Sequence, residues 1–205
     1  MMSSDYYYTI EMTGTAEFKD RGSKFIAYAF PIADPADFKS KLRRLKDEHP
    51  KATHHCFAYR LGNDGNNFRT SDDGEPSGSA GKPILGQIDS KQLTNVAVVV
   101  ARYFGGTLLG IPGLINAYKT SSTLALQTTP IVQKAVEITY RLEFDYTKMN
   151  DVMTVLKKFN CSILNQTMDL FCQTDVGMPK ANEELVLLKL KDLYGVQVQR
   201  VNAEL

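Results

Sequence analysis

Two segments of this chain carry side chains whose types and spacing suit chemistry. One is Ser71-Asp72-Asp73-Gly74-Glu75-Pro76-Ser77-Gly78-Ser79-Ala80-Gly81-Lys82, the other Arg102-Tyr103-Phe104-Gly105-Gly106. Asp72, Asp73 and Glu75 are groups that ligate Mg²⁺ or work as paired carboxylates in acid–base catalysis. The same residues are ordinary turn formers, and a carboxylate also holds a neighbouring arginine in place; turn and ion pair is the preferred reading. Ser77, Gly78 and Lys82 lead into a helix expected from Lys82-Pro83, and free N–H groups at a positive dipole end suit an oxyanion. It is not a P-loop, because Pro76 stands where that motif needs Gly and Pro83 where it needs Ser or Thr. A tight loop folding back on a sheet would use the same glycines.

His54 and His55 are adjacent on an expected strand, so their side chains leave opposite faces and only one of them lines a site. A triad of Ser77 or Ser79 with a histidine and Asp72 or Asp73 lacks a GxSxG elbow and any specifying spacing. Arg102 and Tyr103 directly follow the apolar run Val96 to Val100, whose flanks suggest a strand buried on both faces. Sheets often present binding groups just after such a strand. Arg102 suits bidentate pairing to phosphate or carboxylate, and Tyr103 suits stacking on a base or a partner side chain. Alternatively Arg102 pairs internally with the Asp72 to Glu75 loop and Phe104 is buried. Gly105 and Gly106 bring backbone close to another segment or to a ligand. Eight of the 14 glycines fall between Thr70 and Gly113.

The elements that position these groups follow from periodicity. Tyr6 to Ile10 and Lys24 to Phe30 read as strands, the second alternating Phe25, Ala27, Ala29 against Ile26, Tyr28, Phe30. Asp34-Pro35 starts a helix with Phe38, Leu42 and Leu45 inward, and His49-Pro50 ends it. Its outer face, with Lys39, Lys41, Arg43, Arg44 and Lys46, is basic. Thr53 to Arg60 alternates as a strand and turns at Gly62-Asn63-Asp64-Gly65 into Asn67 to Thr70. A helix from about Leu114 to Gln127 is expected to face inward with Leu114, Ala117, Tyr118, Ser121, Leu124 and Ala125. Beyond Thr128-Thr129-Pro130 the alternation from Val136 to Tyr146 marks a strand wet on one side. A helix with Met149, Val152, Met153, Leu156 and Phe159 inward follows, then strands at Ser162 to Met168 and Leu170 to Asp175. A helix opened by Pro179 with Leu185, Leu188 and Leu193, and a strand Val196 to Val201, close the chain. The order βαββαβ suggests a ferredoxin-like plait.

At 205 residues the chain has room for two small domains, taken as 1–130 and 131–205. Residues 1–134 carry 16 basic against 13 acidic side chains, a balance of +3, and 135–205 carry 8 against 10, a balance of −2. A net charge of +1 excludes a globally basic nucleic-acid binder, and a polyanion should prefer the first part. No apolar stretch reaches the roughly 20 residues of a membrane span, and Met1 to Tyr8 is too polar for a signal peptide, so a cytoplasmic protein is expected. Cys56, Cys161 and Cys172 lack metal-type spacing and are read as reduced, mostly buried thiols, with no metal and no cofactor.

Taken together, these residues resemble the YigZ/IMPACT family. The likeness runs through Gly81-Lys82-Pro83-Ile84-Leu85, Leu93, Val99-Val100, Arg102-Tyr103-Phe104-Gly105-Gly106 and Leu109-Gly110. Upstream it includes Ser23-Lys24-Phe25-Ile26-Ala27, His55-Cys56 and Ser71 to Gly78, and it covers roughly residues 15–128. Ser79 departs from the usual Thr, and Ile111-Pro112 from the small or basic residues before Gly113. The resemblance implies an α+β protein. Its first domain would be a ribosomal-protein or elongation-factor-like βαβ fold with a left-handed crossover, its second a ferredoxin-like plait resembling the C-terminal domains of elongation factor G. Eukaryotic members of the resembled family restrain a translation-control kinase by competing for its ribosome-bound activator.

The expectation is a ribosome- or RNA-associated regulator of translation without catalytic activity, binding through a glycine-rich basic cleft of the first domain. Its contacts are taken as Lys24, His54 or His55, Ser77, Gly78, Lys82, Arg102, Tyr103, Gly105 and Gly106, positioned by Asp72, Asp73 and Glu75. One alternative is a protein-interaction module using the Lys39 to Lys46 face. Another is a small hydrolase or metal-dependent phosphoryl-transfer enzyme using Asp72, Asp73 and a histidine.

Overall fold

Period-two apolar patterning builds the centre of the molecule, as seen in a computed structural model that describes residues 5–63, 65–169 and 171–201. In chain order run β1 (Tyr6–Ile10), β2 (Gly14–Asp20), β3 (Ser23–Pro31), α1 (Pro35–Glu48), β4 (His54–Leu61), β5 (Asn67–Ser71), α2 (Gly81–Ser90), β6 (Val96–Tyr103), α3 (Gly110–Gln127) and β7 (Ile131–Ala135). Then follow β8 (Glu137–Phe144), α4 (Met149–Lys158), β9 (Ser162–Met168), β10 (Cys172–Pro179), α5 (Glu183–Lys191) and β11 (Gln197–Arg200). The fold is mixed α/β in two units, Tyr7–Lys134 and the chain from Ala135 onward joined by Asp5 and Tyr6.

In the first unit five strands form an antiparallel sheet in the order β2-β3-β6-β4-β5. Phe25, Ala27, Ala29, Cys56, Ala58, Val96, Val98 and Val100 share one face and pack with Ile84, Ile88, Leu114 and Tyr118 of α2 and α3. Phe30, Phe57, Tyr59, Leu61, Ala97 and Val99 take the other face, covered by Phe38 and Leu45 of α1. β6 is therefore buried on both sides, as its apolar run requires. Asp34 caps α1 by accepting from the N–H groups of Ala36 and Asp37 at 2.7 and 2.8 Å, ahead of Pro35 in the first turn.

Three local expectations are corrected. β2 carries little strand signal of its own, because its alternation of Ala16 and Phe18 with Glu17 and Lys19 is weakly apolar; pairing with β3 creates it. α3 starts at Gly110, and Leu124 lies on its exposed side while Ser122 and Leu126 are buried. In α5 the buried pair is Val186 and Leu190, and the expected Leu185 and Leu188 are exposed. A segment with leucines on every side does not reveal its buried face until something packs against it.

The second unit orders its strands β11-β8-β10-β9, all antiparallel. Tyr140, Leu142, Phe144, Val176 and Met178 on one face of that sheet bury Val152 and Leu156 of α4 with Val186 and Leu190 of α5. Met1 to Ser4, Asp64 of the expected hairpin turn and Leu170 of the expected strand start lie outside the described residues.

Candidate functional site

The antiparallel register sets Phe25, Arg102 and His54 side by side across β3, β6 and β4. Directly paired residues point to the same face, here the one beneath α2 and α3. Into this row drops Glu75 from the β5–α2 loop. Its Oε1 accepts from Arg102 Nη1 at 2.5 Å and from the Tyr118 hydroxyl at 2.7 Å, with His54 Nε2 4.0 Å away. The Arg102 and Glu75 side chains are only 6% and 3% exposed. Arg102 Nη2 reaches Ser23 Oγ at 3.5 Å, and the guanidinium lies 5.4 and 5.7 Å from the Phe25 and Phe104 ring centres. An exposed, cationic Arg102 is thus not what the fold builds: the guanidinium is neutralised by Glu75 and sealed. The internal alternative, pairing with the acidic loop, is the one realised, although Phe104 stays exposed.

His54 donates from Nδ1 to the Asp73 carbonyl at 2.7 Å; a carbonyl only accepts, so the proton sits on Nδ1 and Nε2 faces Glu75. Cys56 Sγ lies 3.2 Å from the Tyr118 hydroxyl and 3.0 Å from the Asp72 carbonyl. Burial pushes both the Cys56 thiol and the Tyr118 phenol far up, so neither supplies an anion for catalysis. Tyr118 and Ser23 are the members of this network that site reasoning did not single out. The available signal was a tyrosine on the inward stripe of α3, since a buried phenol needs a polar partner.

The expected oxyanion cradle ahead of α2 is present and already filled. The Asp72 carboxylate accepts from the N–H groups of Gly78, Ala80 and Gly81 at 2.8, 3.0 and 2.8 Å. Burial works against the charged form of Asp72, yet those three donors outweigh it and hold its pKa below the usual carboxylate range. Gly78 donates from a positive-φ backbone that only glycine adopts without strain. To ligate a metal or act as a base, Asp72 would have to abandon the cap on α2. Among the described residues no group of three His, Cys, Asp or Glu side chains is placed to hold a metal ion.

The sheet divides the remaining candidates. Lys24 pairs with Tyr103 in register and so lies on the α1 side, with His55. Tyr103 hydroxyl is 2.8 Å from His49 Nδ1, and Tyr28 hydroxyl 2.7 Å from His49 Nε2. Lys24 Nζ lies 5.9 Å from the Tyr103 ring centre and 2.9 Å from Glu17. His55 is buried with Nε2 unpartnered, its pKa lowered by burial and then by Lys46, against Asp73. Asp73 serves both faces, its carbonyl on His54 and its Oδ2 accepting from the His55 N–H at 2.7 Å. Ser77, Lys82, Phe104 and Gly106 are exposed at this end of the sheet. The two glycine-rich connections do meet through Arg102 and Glu75. Gly105 has its own neighbour: a Cβ there would sit 1.9 Å from the Gly22 carbonyl carbon, so the close approach is to backbone of this chain.

A family model described as the Impact N-terminal domain matches residues 21–126. The chain belongs to the IMPACT family. An IMPACT family member of Haemophilus influenzae is 36% identical over 146 residues, 70% of this chain and 71% of its own length. The IMPACT family member YigZ of Escherichia coli is 34% identical over 168 residues, 81% of this chain and 82% of its own. A solved structure titled only as that of a hypothetical protein shares 29% identity and superposes with a TM-score of 0.76, covering 98% of this chain and all of that one. Within this IMPACT domain lie all the residues of the Arg102–Glu75 network. No helix among the described residues is long and apolar enough to cross a membrane.

Proposed function

We propose that this IMPACT family member is a non-catalytic, cytoplasmic, ribosome- or RNA-associated regulator of translation that binds through the glycine-rich end of its first unit. The observation that carries this reading is the distribution of charge there. Asp72 and Glu75 are turned inward and satisfied, whereas Lys82 and Phe104 are exposed and Lys24 is half-exposed beside Tyr103. Lys82 and the Phe104 ring therefore present a cation and an aromatic face at this end, while Lys24 is held by Glu17 and Asp73 is also exposed, and Arg102 is the strut that fixes the Tyr103–Gly106 connection. Lysines hold phosphates and aromatic rings stack on bases, a combination that tolerates sequence variation. In the first unit β3 and β4, joined by α1, both run antiparallel to β6 between them, which supports the βαβ reading. In the second unit the strand order β11-β8-β10-β9 supports a ferredoxin-like plait.

Lys82→Glu and Phe104→Ala test the surface, since both positions are exposed and should leave the fold intact. Binding to purified ribosomal particles or to RNA in a salt series is expected to weaken roughly tenfold in each, with a shallower salt slope for Lys82→Glu. Unchanged binding in both variants removes this surface from the function. The outer face of α1, with Lys39, Arg43, Arg44 and Lys46 exposed, favours a second reading as a docking face for an acidic protein. Retention of a partner by the immobilised protein in nuclease-treated lysate distinguishes that case.

A further inference from the structure

On its α1 side the first sheet is not covered out to its β2 edge. Thr15 of β2 pairs with Tyr28 of β3, and directly paired residues share a face. Phe30, two residues on, lies on that face too and is buried together with Leu45 of α1. Lys41, Arg44, Leu45 and Glu48 follow one stripe of the helix, at i, i+3, i+4 and i+7. Thr15 is small where the strands end, so a cleft of about 230 Å³ is left between the sheet edge and α1. That is below the roughly 300–1,000 Å³ of sites for drug-sized ligands. Its floor is the apolar pair Phe30 and Leu45, and the Tyr28 hydroxyl beside them is held by His49 Nε2 at 2.7 Å. Of the charges on the helix wall, the Lys41 ammonium is engaged by the Pro31 carbonyl at 2.7 Å and by Asp37 at 2.8 Å. Arg44 and Glu48 are exposed, and neither is in an ion pair among the described residues. They stand one turn apart with the cation before the carboxylate, the order that pairs less well along a helix.

We propose that this cleft binds a free apolar α-amino acid, with its carboxylate on Arg44, its ammonium on Glu48 and its side chain against Phe30 and Leu45. The balance of charge selects that class. A phosphate or other polyanion is repelled by the Glu48 carboxylate and a simple cation by Arg44, whereas a zwitterion satisfies both. The buried floor then favours a side chain that gains by leaving water, such as that of leucine or phenylalanine. The cleft is small enough to hold one such molecule and too small for a larger ligand.

Isothermal titration calorimetry of the full chain with L-leucine and with L-phenylalanine reads the site. Saturable one-to-one binding of at least one of them is expected. 4-Methylpentanoate, which lacks the ammonium, and 3-methylbutylamine, which lacks the carboxylate, are each expected to bind about tenfold or more weakly than leucine. Arg44→Ala is expected to weaken amino-acid binding by a similar factor, and Thr15→Phe, which fills the cleft, to abolish it. Lys119→Ala, exposed on α3 across the sheet, leaves it unchanged. Thermal melts confirm that the three variants fold. No saturable heat with either amino acid, an analogue that binds as tightly as leucine, or equal loss in Arg44→Ala and Lys119→Ala overturns the proposal.

Discussion

At the scale of single residues, a charge inside the fold costs more to strand than an intact pair contributes. Glu75 is nearly sealed and holds Arg102 and Tyr118 on one oxygen. Arg102→Ala leaves that carboxylate buried without its cation, and a loss of about 3–5 kcal/mol is expected in urea denaturation. Replacing both partners, as in Glu75→Gln with Arg102→Met, should recover most of it, because no charge is then left unpaired. A loss below about 1 kcal/mol in the single variant would mean that water reaches the pair. One member of the serine–histidine–carboxylate grouping is already engaged elsewhere. Asp72 accepts from the N–H groups of Gly78, Ala80 and Gly81.

At the scale of elements, α1 and the loop after β5 set the environment of His55 from opposite sides. Its ring is buried near Lys46 and His49 of the α1 end, with Asp73 opposing them, and its pKa is lowered in the folded state. Above the unfolded reference of about 6.5 neither state carries the proton and the residue is silent. As pH falls below that value the unfolded chain binds a proton that the folded one refuses, so stability drops. The urea midpoint should therefore fall between pH 7 and pH 5 more in wild type than in His55→Gln, which has no such proton to bind. Parallel profiles would show that the ring reaches water when protonated. His54, one residue away, faces the Glu75 side of the sheet, so a single-residue slip of β4 would exchange their roles.

At the scale of the whole molecule, the two cores share no side chain: one lies on the two faces of the first sheet, the other between the second sheet and α4 with α5. A fragment ending at Lys134 is expected to unfold in a single cooperative transition, as a domain with its own core does. A broad, non-cooperative melt would show that the first unit depends on the second.

Local chemistry written into the chain determined much of this. The apolar run Val96–Val100 dictates a strand covered on both faces, Asp34-Pro35 dictates a helix start, and adjacent His54 and His55 must part to opposite sides. The motif residues from Ser71 to Gly110 identify the family. Which carboxylate meets which donor was not legible, because the partners are distant in sequence. Arg102, Glu75 and Tyr118 come together only when β6, the β5–α2 loop and α3 converge, and Asp72 reaches Gly81 only when that loop closes on itself. Tertiary structure alone decided that a candidate ligand-binding arginine is an internal strut, since burial and pairing depend on what packs around a side chain and not on its type.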